Sequence, residues 1–186
     1  SLLVESGFYV NVDLIYGLPG QTVETWLYSV RQALSFAPQE LYLYPLYVRP
    51  LTGLGRSRKE WDDVRLACYR EGRDLLLAEG YTQVSMRMFR RLGMPEASGP
   101  AYCCQEDGMV GLGCGARSYT RGLHYSLDYA VGPRGIKAVI ADYLARSHAE
   151  LAVADHGFVL DEDEQRRRYL LQSILNAEGL DATRYI

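Results

Sequence analysis

The chain has 186 residues, of which 48% are hydrophobic and 23% charged, and its formal net charge is -3 at pH 7. This composition is typical of a globular protein, and the length fits one modest domain or part of a larger one. The negative charge argues against nonspecific nucleic-acid binding. No stretch approaches the roughly 18 apolar residues of a membrane span, and no signal peptide is visible, so we expect a cytoplasmic protein that does not bind membranes.

The most informative stretch is residues 10–22, which read VNVDLIYGLPGQT. Apolar and β-branched residues predict a buried strand, and the GLPG sequence predicts a tight bend. Thr22 is a suitable N-cap for a following helix. In α/β proteins, ligands collect at the C-terminal ends of the strands, where this bend lies. Asp13 interrupts the apolar run, which costs free energy unless the carboxylate is paired or functional; a solvated edge residue or a structural partner of an arginine is the alternative.

Hydrophobic periodicity predicts alternating strands and helices in the first half of the chain. In order, these are a strand at 8–16, a helix at 23–36, a strand at 40–48, a helix at 60–79 and a strand at 81–89. This alternation predicts a parallel sheet with right-handed crossovers.

The alternation breaks in the second half of the chain. Residues 102–120, YCCQEDGMVGLGCGARSYT, carry four glycines, which either let the backbone approach a ligand closely or make successive tight turns. The GLGCG sequence is not a dinucleotide fingerprint, since G-x-G-x-x-G is not met. We expect a short strand at 124–131, then helices at 136–146 and 162–177, the last with Asp161 as its N-cap.

The four cysteines match no metal-binding pattern. Cys103 and Cys104 are adjacent and Cys114 follows ten residues later, a spacing found in neither zinc nor iron–sulfur sites. Cys68 lies in a helical pattern and is most simply a small core residue. We therefore predict free thiols and no metal ligands in this chain.

Four segments, taken together, resemble one protein family. In chain order they are NVDLIYGLPGQT, PLYVRPLTGLGR, GYTQVSMRMFRR and YCCQEDGMVGLGCGARSYT. They resemble radical S-adenosylmethionine (SAM) proteins of the oxygen-independent coproporphyrinogen III oxidase type, over nearly the whole chain from residue 8. The likeness is to an uncharacterised branch of that family rather than to the haem-biosynthetic enzyme itself.

The resemblance implies an α/β fold, the later half of a partial parallel (β/α) barrel followed by the start of a small helical domain. We place the barrel part, with its glycine-rich extension, at residues 1–131 and the truncated helical region at 132–186. The family's CxxxCxxC loop and its GGTP-like segment are not in this sequence, which opens at Ser1 rather than at Met. We therefore expect a C-terminal fragment that is inactive alone, with the [4Fe-4S] cluster ligands in a missing N-terminal part.

The resemblance also implies an activity for the full-length protein. It would be a radical SAM oxidoreductase that reductively cleaves SAM to a 5′-deoxyadenosyl radical, which abstracts hydrogen from a small organic substrate such as a porphyrinogen or another tetrapyrrole. An electron donor such as flavodoxin or ferredoxin is then required. The alternative is a haem-binding chaperone of the same family without oxidase activity. A third reading is a structural module whose SAM site has decayed.

The resemblance assigns SAM contacts but no catalytic residue. Asp13 matches the carboxylate that hydrogen-bonds SAM, and ionised oxygens suit ribose hydroxyls, which are paired donors. Tyr47 stands where the family has a small residue, so its contact would be through the backbone. Ala116 and Arg117 match a further backbone segment at SAM. The SAM-binding candidates are Asp13, Tyr16, Gly17, Tyr47, Ala116 and Arg117.

A carboxylate-rich substrate needs cations and, if it is flat, aromatic surfaces. Guanidinium groups grip carboxylates bidentately, although most arginines are surface or structural groups. The candidates are Arg49, Arg56, Arg87, Arg90, Arg91 and Arg117, of which we single out Arg49, Arg56 and Arg87. The tyrosines that can either stack on a macrocycle or fill the core are Tyr16, Tyr42, Tyr44 and Tyr47. His124 is a candidate proton donor or haem ligand, although a lone histidine is more often neither.

Overall fold

The computed structural model describes residues 2–50, 52–57, 63–94, 108–128, 130, 133–154 and 156–185. The chain forms two compact units. Unit 1 comprises Ser1–Val48, Arg58–Ser98 and Leu175–Gly179, and unit 2 comprises Arg49–Ser57, Gly99–Ile174 and Leu180–Ile186. The domain division that the sequence predicts at residue 131 stays a prediction.

Unit 1 contains a four-stranded sheet and its helices. In chain order the elements are α1 (Leu2–Glu5), β1 (Asn11–Tyr16), α2 (Val23–Leu34), β2 (Glu40–Pro45), α3 (Arg65–Ala78), β3 (Tyr81–Gln83) and β4 (Met88–Arg91). The strand order is β1-β2-β4-β3. Strands β1 and β2 are parallel, whereas β4 runs antiparallel to both of its neighbours. The predicted α/β class is confirmed, with a parallel β-α-β unit at its start.

The single strand predicted at residues 81–89 is wrong, because this segment is a hairpin. Tyr81 pairs with Arg91, and Gln83 pairs with Phe89. The Ser85 hydroxyl accepts the amide hydrogens of Arg87 and Met88 at 3.3 and 3.1 Å. A serine side chain that bonds nearby backbone groups competes with continued strand pairing. The sheet is consequently mixed rather than wholly parallel.

The other elements of unit 1 are shorter than the sequence predicts. Strand β1 begins at Asn11 rather than at residue 8, and β2 ends at Pro45, which has no backbone N–H to continue the ladder. Helix α2 ends at Leu34 rather than at residue 36, and Ala37 has a φ of +49°. Helix α3 begins at Arg65, while residues 60–62 of its predicted start lie outside the described residues.

Helix α2 begins where the sequence predicts. The Thr22 hydroxyl accepts the Thr25 amide hydrogen at 3.2 Å, and the Thr25 hydroxyl accepts that of Thr22 at 3.0 Å. This reciprocal capping box satisfies two backbone donors at the helix start. It fixes the direction in which α2 leaves the glycine bend.

The core of unit 1 lies between the sheet and the two long helices. Its fully buried side chains include Trp26, Leu41, Leu43, Leu76 and Phe89. Strand β1 adds Val12, Leu14 and Tyr16 to the same core. Because successive strand side chains point to opposite faces, Asn11, Asp13 and Ile15 lie on the other face of β1, where all three are exposed.

Replacing Trp26 with phenylalanine is expected to lower the free energy of unfolding by about 2 kcal/mol, through a lost hydrogen bond and lost volume. The Trp26 indole N–H donates to the Cys68 carbonyl at 2.7 Å, inside the core. Urea unfolding monitored by circular dichroism measures the loss. Tyr28→Phe, at an exposed position of the same helix, is the control and should change nothing. Equal stability of wild type and Trp26→Phe would contradict the role of this bond.

Unit 2 contains a three-stranded antiparallel sheet and four helices among its described residues. The elements are β5 (Arg117–Tyr119), β6 (Leu123–Ser126), α4 (Pro133–Ala145), α5 (His148–Leu151), β7 (His156–Val159), α6 (Glu162–Ile174) and α7 (Ala182–Tyr185). The strand order is β5-β6-β7. The Asp161 carboxylate accepts the Glu164 amide hydrogen at 2.8 Å and caps α6 as predicted, although α6 ends at Ile174 rather than at residue 177.

Within the part of the chain that the structure describes, no helix is long and apolar enough to cross a membrane. In the same residues, no three His, Cys, Asp or Glu side chains are grouped to hold a metal ion. Cys68 is buried and Cys114 is exposed, both as free thiols. Cys103 and Cys104 lie outside the described residues.

Candidate functional site

The C-terminal ends of β1 and β2 lie side by side and form the edge of the candidate site. Tyr16 is in register with Pro45, and the Leu46 amide donates to the Tyr16 carbonyl at 2.8 Å. Gly17 follows with a φ of +83°, a conformation that favours glycine. Its amide donates to the Gln21 side-chain oxygen at 2.7 Å, which closes the predicted bend.

Asp13 lies on the exposed face of this sheet, in register with Tyr42 of β2. Among the described residues, its carboxylate has no hydrogen-bond or ion-pair partner. The structural pairing with an arginine that the sequence left open is therefore not made within these residues. Asp13 lines neither of the two cavities described below. The carboxylate is therefore exposed on the face of unit 1.

Two tyrosines and an arginine share the face on which Asp13 lies. The Tyr42 and Tyr44 rings are stacked, with centroids 6.1 Å apart and planes at 10°. The Arg87 guanidinium lies 5.4 Å from the Tyr44 centroid, a cation–π contact, and its Nη2 donates to the Tyr47 hydroxyl at 3.5 Å. Within the described part of unit 1, Arg87 forms no ion pair. We call Tyr42, Tyr44 and Arg87 the tyrosine–arginine platform.

A second polar cluster lies at the opposite end of β2. The Arg90 guanidinium pairs with the Glu40 carboxylate at 3.0 Å, and the hydroxyls of Tyr9 and Tyr42 donate to the same carboxylate at 2.9 and 3.4 Å. Burial and the Glu40 charge raise the pKa of Tyr42 to about 12. These contacts give Arg90 a structural partner, which sets it apart from Arg87 among the candidate arginines.

The Tyr16 side chain faces the core rather than the platform. It is only 4% exposed, and its ring lies 5.5 Å from Trp26 and 6.2 Å from Tyr69. Burial raises the pKa of its hydroxyl to about 12. A ligand at the strand ends can therefore meet Tyr16 only through its backbone.

We expect the stability of the chain to fall as the pH rises from about 10 to about 12, because the unfolded chain loses the Tyr16 proton more readily than the folded chain. The contribution of Tyr16 to the free energy of unfolding is complete below about pH 10. It disappears as the pH rises through the pKa that Tyr16 has in the folded chain, about 12. Urea unfolding at a series of alkaline pH values measures the slope. Tyr16→Phe should make the slope shallower, with the part due to Tyr42 remaining, whereas Tyr28→Phe, at an exposed position, should leave it unchanged. Superimposable slopes for all three proteins would contradict the assignment.

A cavity of about 310 Å³ opens at the end of β2, lined by Pro45, Tyr47, Asp63, Arg65 and Leu66. Hydrogen bonds from Arg65 lower the pKa of the Asp63 carboxyl to about 2. Sequence reasoning singled out Tyr47 here but missed Asp63 and Arg65. No signal in the sequence pointed to this pair, because the predicted helix begins at residue 60 and Arg65 is not in its first turn.

Unit 2 holds the glycine-rich candidates. The Gly111 amide donates to the Ser118 hydroxyl at 2.9 Å, and a Cβ on Gly111 would overlap the Arg117 carbonyl, so the turn is closely packed. Ala116 lines a second cavity of about 310 Å³ between this turn, the sheet and the helices α4 and α5. Arg117 opens β5. Of the two readings that the sequence left open, the tight turn is present, and close approach of this backbone to a ligand stays a prediction.

Two further substrate candidates and His124 also belong to unit 2. Arg49 and Arg56 are exposed on a compact turn in which the Thr52 hydroxyl donates to the Arg49 carbonyl at 2.7 Å. The His124 ring lies 5.1 Å from Phe158 and 6.3 Å from Tyr119. His124 is thus packed in a row of rings, the arrangement expected of a structural histidine.

The fold of the chain is that of a radical SAM enzyme. The structure of Escherichia coli coproporphyrinogen III oxidase (HemN) superposes with a TM-score of 0.69 over 95% of this chain and 42% of that one, at 18% identity. This likeness shows the fold, and it agrees with the partial barrel that the motifs predict. No protein-family model matches the chain.

Three curated proteins are similar to this chain in amino-acid sequence. Heme chaperone HemW of Escherichia coli is 32% identical over 115 residues, which cover 57% of this chain and 28% of that protein. HemW of Haemophilus influenzae is 33% identical, with the same coverage of both chains. The mitochondrial radical S-adenosyl methionine domain-containing protein 1 of Mus musculus is 33% identical over 58% of this chain and 25% of its own.

These findings confirm the resemblance that the four segments carry: the chain is homologous to HemW proteins and shares its fold with HemN. The chain spans only 25% to 34% of the length of the curated relatives it matches.

Proposed function

We propose that the protein containing this chain binds SAM at the strand ends of unit 1 and carries haem; relatives of the chain that are named heme chaperones support the second part. The observation that carries the proposal is the exposed face that combines the unpartnered Asp13 carboxylate with the tyrosine–arginine platform. The Asp13 carboxylate suits the hydroxyls of a nucleoside. The tyrosine–arginine platform suits a planar molecule that carries carboxylate groups.

The SAM half of the proposal rests on unit 1. The Asp13 carboxylate would accept hydrogen bonds from the ribose hydroxyls. The positive φ at Gly17 keeps the bend free of a side chain, so a ligand can approach the backbone there. The contact predicted for Tyr47 belongs to the same proposal, whereas those that the resemblance implies for Ala116 and Arg117 stay predictions about unit 2.

The [4Fe-4S] cluster is proposed for the whole protein. The described residues hold no group of side chains that fits a metal ion, so the ligands would be a CxxxCxxC loop outside them. When bound, the cluster would supply the electron for SAM cleavage, drawn from flavodoxin or ferredoxin. This chain's residues would orient SAM and the substrate.

The haem half of the proposal rests on the platform. Haem is planar and carries two propionates, so it suits the stacked rings of Tyr42 and Tyr44 beside a guanidinium. Arg87 supports this role because it has no carboxylate partner in the described part of unit 1. Arg49 and Arg56 remain candidates in unit 2, with exposed side chains.

The second candidate function is the oxidoreductase that the motifs predict. A porphyrinogen also carries carboxylates, so the platform would serve it equally. The two functions differ in whether SAM cleavage accompanies conversion of the tetrapyrrole.

The test uses the product of the complete reading frame, reconstituted anaerobically with iron and sulfide. Haem binding is followed by absorbance titration, and SAM cleavage by chromatography of 5′-deoxyadenosine with reductant and coproporphyrinogen III present. Tight haem binding without substrate conversion supports the carrier. Conversion with stoichiometric 5′-deoxyadenosine supports the oxidoreductase. Binding of neither SAM nor haem contradicts both and favours a structural module. The cytoplasmic location is tested by cell fractionation.

A further inference from the structure

The geometry points to Arg65 as a positioning residue that holds the ends of β1 and β2 together. We call Arg65, with its contacts to Leu46 and Gly17, the strap. Holding these two ends at a fixed spacing would set the edge of the SAM site. The inference rests on the SAM site proposed above, but the strap itself is defined by contacts within unit 1.

The first contact joins Arg65 to the end of β2. Its Nη1 donates to the Leu46 carbonyl at 3.3 Å, and the Leu46 amide donates in turn to the Tyr16 carbonyl at 2.8 Å. The start of α3 is therefore linked through one residue to the end of β1. Since Tyr16 directly precedes the glycine bend, a change at the guanidinium reaches the bend through two hydrogen bonds.

The second contact joins Arg65 to the bend itself. A Cβ placed on Gly17 would overlap the Arg65 Cγ, so the aliphatic stem lies against the glycine backbone. Gly17 is thus required twice, once for its φ of +83° and once for the space that the stem occupies. The arginine contacts both strand ends with different parts of one side chain.

The third contact fixes the orientation of the guanidinium. Nε and Nη2 donate to the two carboxylate oxygens of Asp63 at 2.7 and 2.6 Å, a bidentate pair. The same carboxylate accepts the Arg65 backbone N–H at 3.1 Å. Asp63 offsets the unfavourable placement of a cation at a helix N-terminus and leaves Nη1 directed at Leu46.

Arg65 also lines the cavity at the end of β2. Arg65 and Tyr47 both line the cavity of about 310 Å³ at the end of β2. The Tyr47 hydroxyl also accepts a hydrogen bond from Arg87 of the platform. Movement of Arg65 would therefore change the space beside the predicted SAM contact.

The strap is tested first by amide hydrogen exchange in the product of the complete reading frame. In Arg65→Ala we expect protection of the Leu46 amide to fall about tenfold, with core amides such as that of Leu43 unchanged. Arg70→Ala, at an exposed position of the same helix, is the matched control. Arg65→Lys, which keeps the stem and one donor, should recover part of the protection. Unchanged exchange at Leu46 in Arg65→Ala overturns the strap.

The positioning role is tested by SAM affinity, measured by equilibrium dialysis at a temperature where every variant is folded. We expect about a tenfold loss in Arg65→Ala, a smaller loss in Arg65→Lys and none in Arg70→Ala. Val30→Ala, a fully buried position on α2, lowers stability without touching the strand ends and should keep wild-type affinity.

The two tests separate the strap from the proposed function. If Arg65→Ala changes exchange at Leu46 but binds SAM as wild type does, Arg65 is merely structural and the positioning role is overturned. If Val30→Ala weakens SAM binding as much as Arg65→Ala does, the effect follows stability, and the positioning role is again overturned. If wild type binds no SAM, the proposed function fails, and hydrogen exchange alone decides whether Arg65 straps the strand ends.

Discussion

Asp13→Asn is expected to weaken SAM binding about 100-fold, or roughly 3 kcal/mol, because one of two charge-assisted hydrogen bonds to the ribose hydroxyls would be lost and the other would lose its charge. An asparagine amide keeps one acceptor but turns a second donor toward the hydroxyls, which are themselves donors. Equilibrium dialysis with labelled SAM against the product of the complete reading frame measures the change. This is the largest effect that we predict for a single side chain.

The control for the Asp13→Asn variant is a substitution at a neighbouring residue on the same face of β1. Asn11 is exposed two residues earlier on β1, and Asn11→Ala should leave SAM affinity unchanged. The midpoint of thermal unfolding should also be unchanged in Asp13→Asn, since this carboxylate has no partner within the described residues. Wild-type affinity in Asp13→Asn would remove Asp13 from the site. A drop in both the unfolding midpoint and the affinity would indicate a structural role instead.

Arg87→Ala is expected to weaken haem binding about 30-fold, or roughly 2 kcal/mol, because a propionate would lose a charged donor. The guanidinium is already oriented by the Tyr44 ring and the Tyr47 hydroxyl, so little ordering is needed when haem binds. Absorbance titration with haem measures the affinity. Arg87→Lys should recover only part of it, since an ammonium grips a carboxylate through one point rather than a fork.

Haem dimethyl ester, in which the propionates are blocked, makes the Arg87 experiment specific. Wild type should bind the ester more weakly than haem, whereas Arg87→Ala should bind the two equally. Arg31→Ala, at an exposed position on α2, is the matched control and should retain the preference. A preference for haem that survives in Arg87→Ala would show that another cation holds the propionates, and Arg49 and Arg56 would be examined next.

The sequence by itself determined the local features of this protein. The Thr22 N-cap, the glycine bend at residues 17–20 and the Asp161 cap of α6 were all readable, because each involves residues no more than four positions apart. The Asp13 carboxylate also stood out in the sequence, as an interruption of an apolar run. The order of the four segments identified the family.

The tertiary structure decided what depends on distant partners. Periodicity does not reveal the direction in which strands pair, so the β3–β4 hairpin read as one strand. The Glu40–Arg90 pair joins residues 50 positions apart, and Arg65 reaches Leu46 across 19. Such contacts depend on how the helices and strands are brought together, and no local pattern records them. For that reason the structure, and not the sequence, separated Arg87 from Arg90 and placed Arg65 at the strand ends.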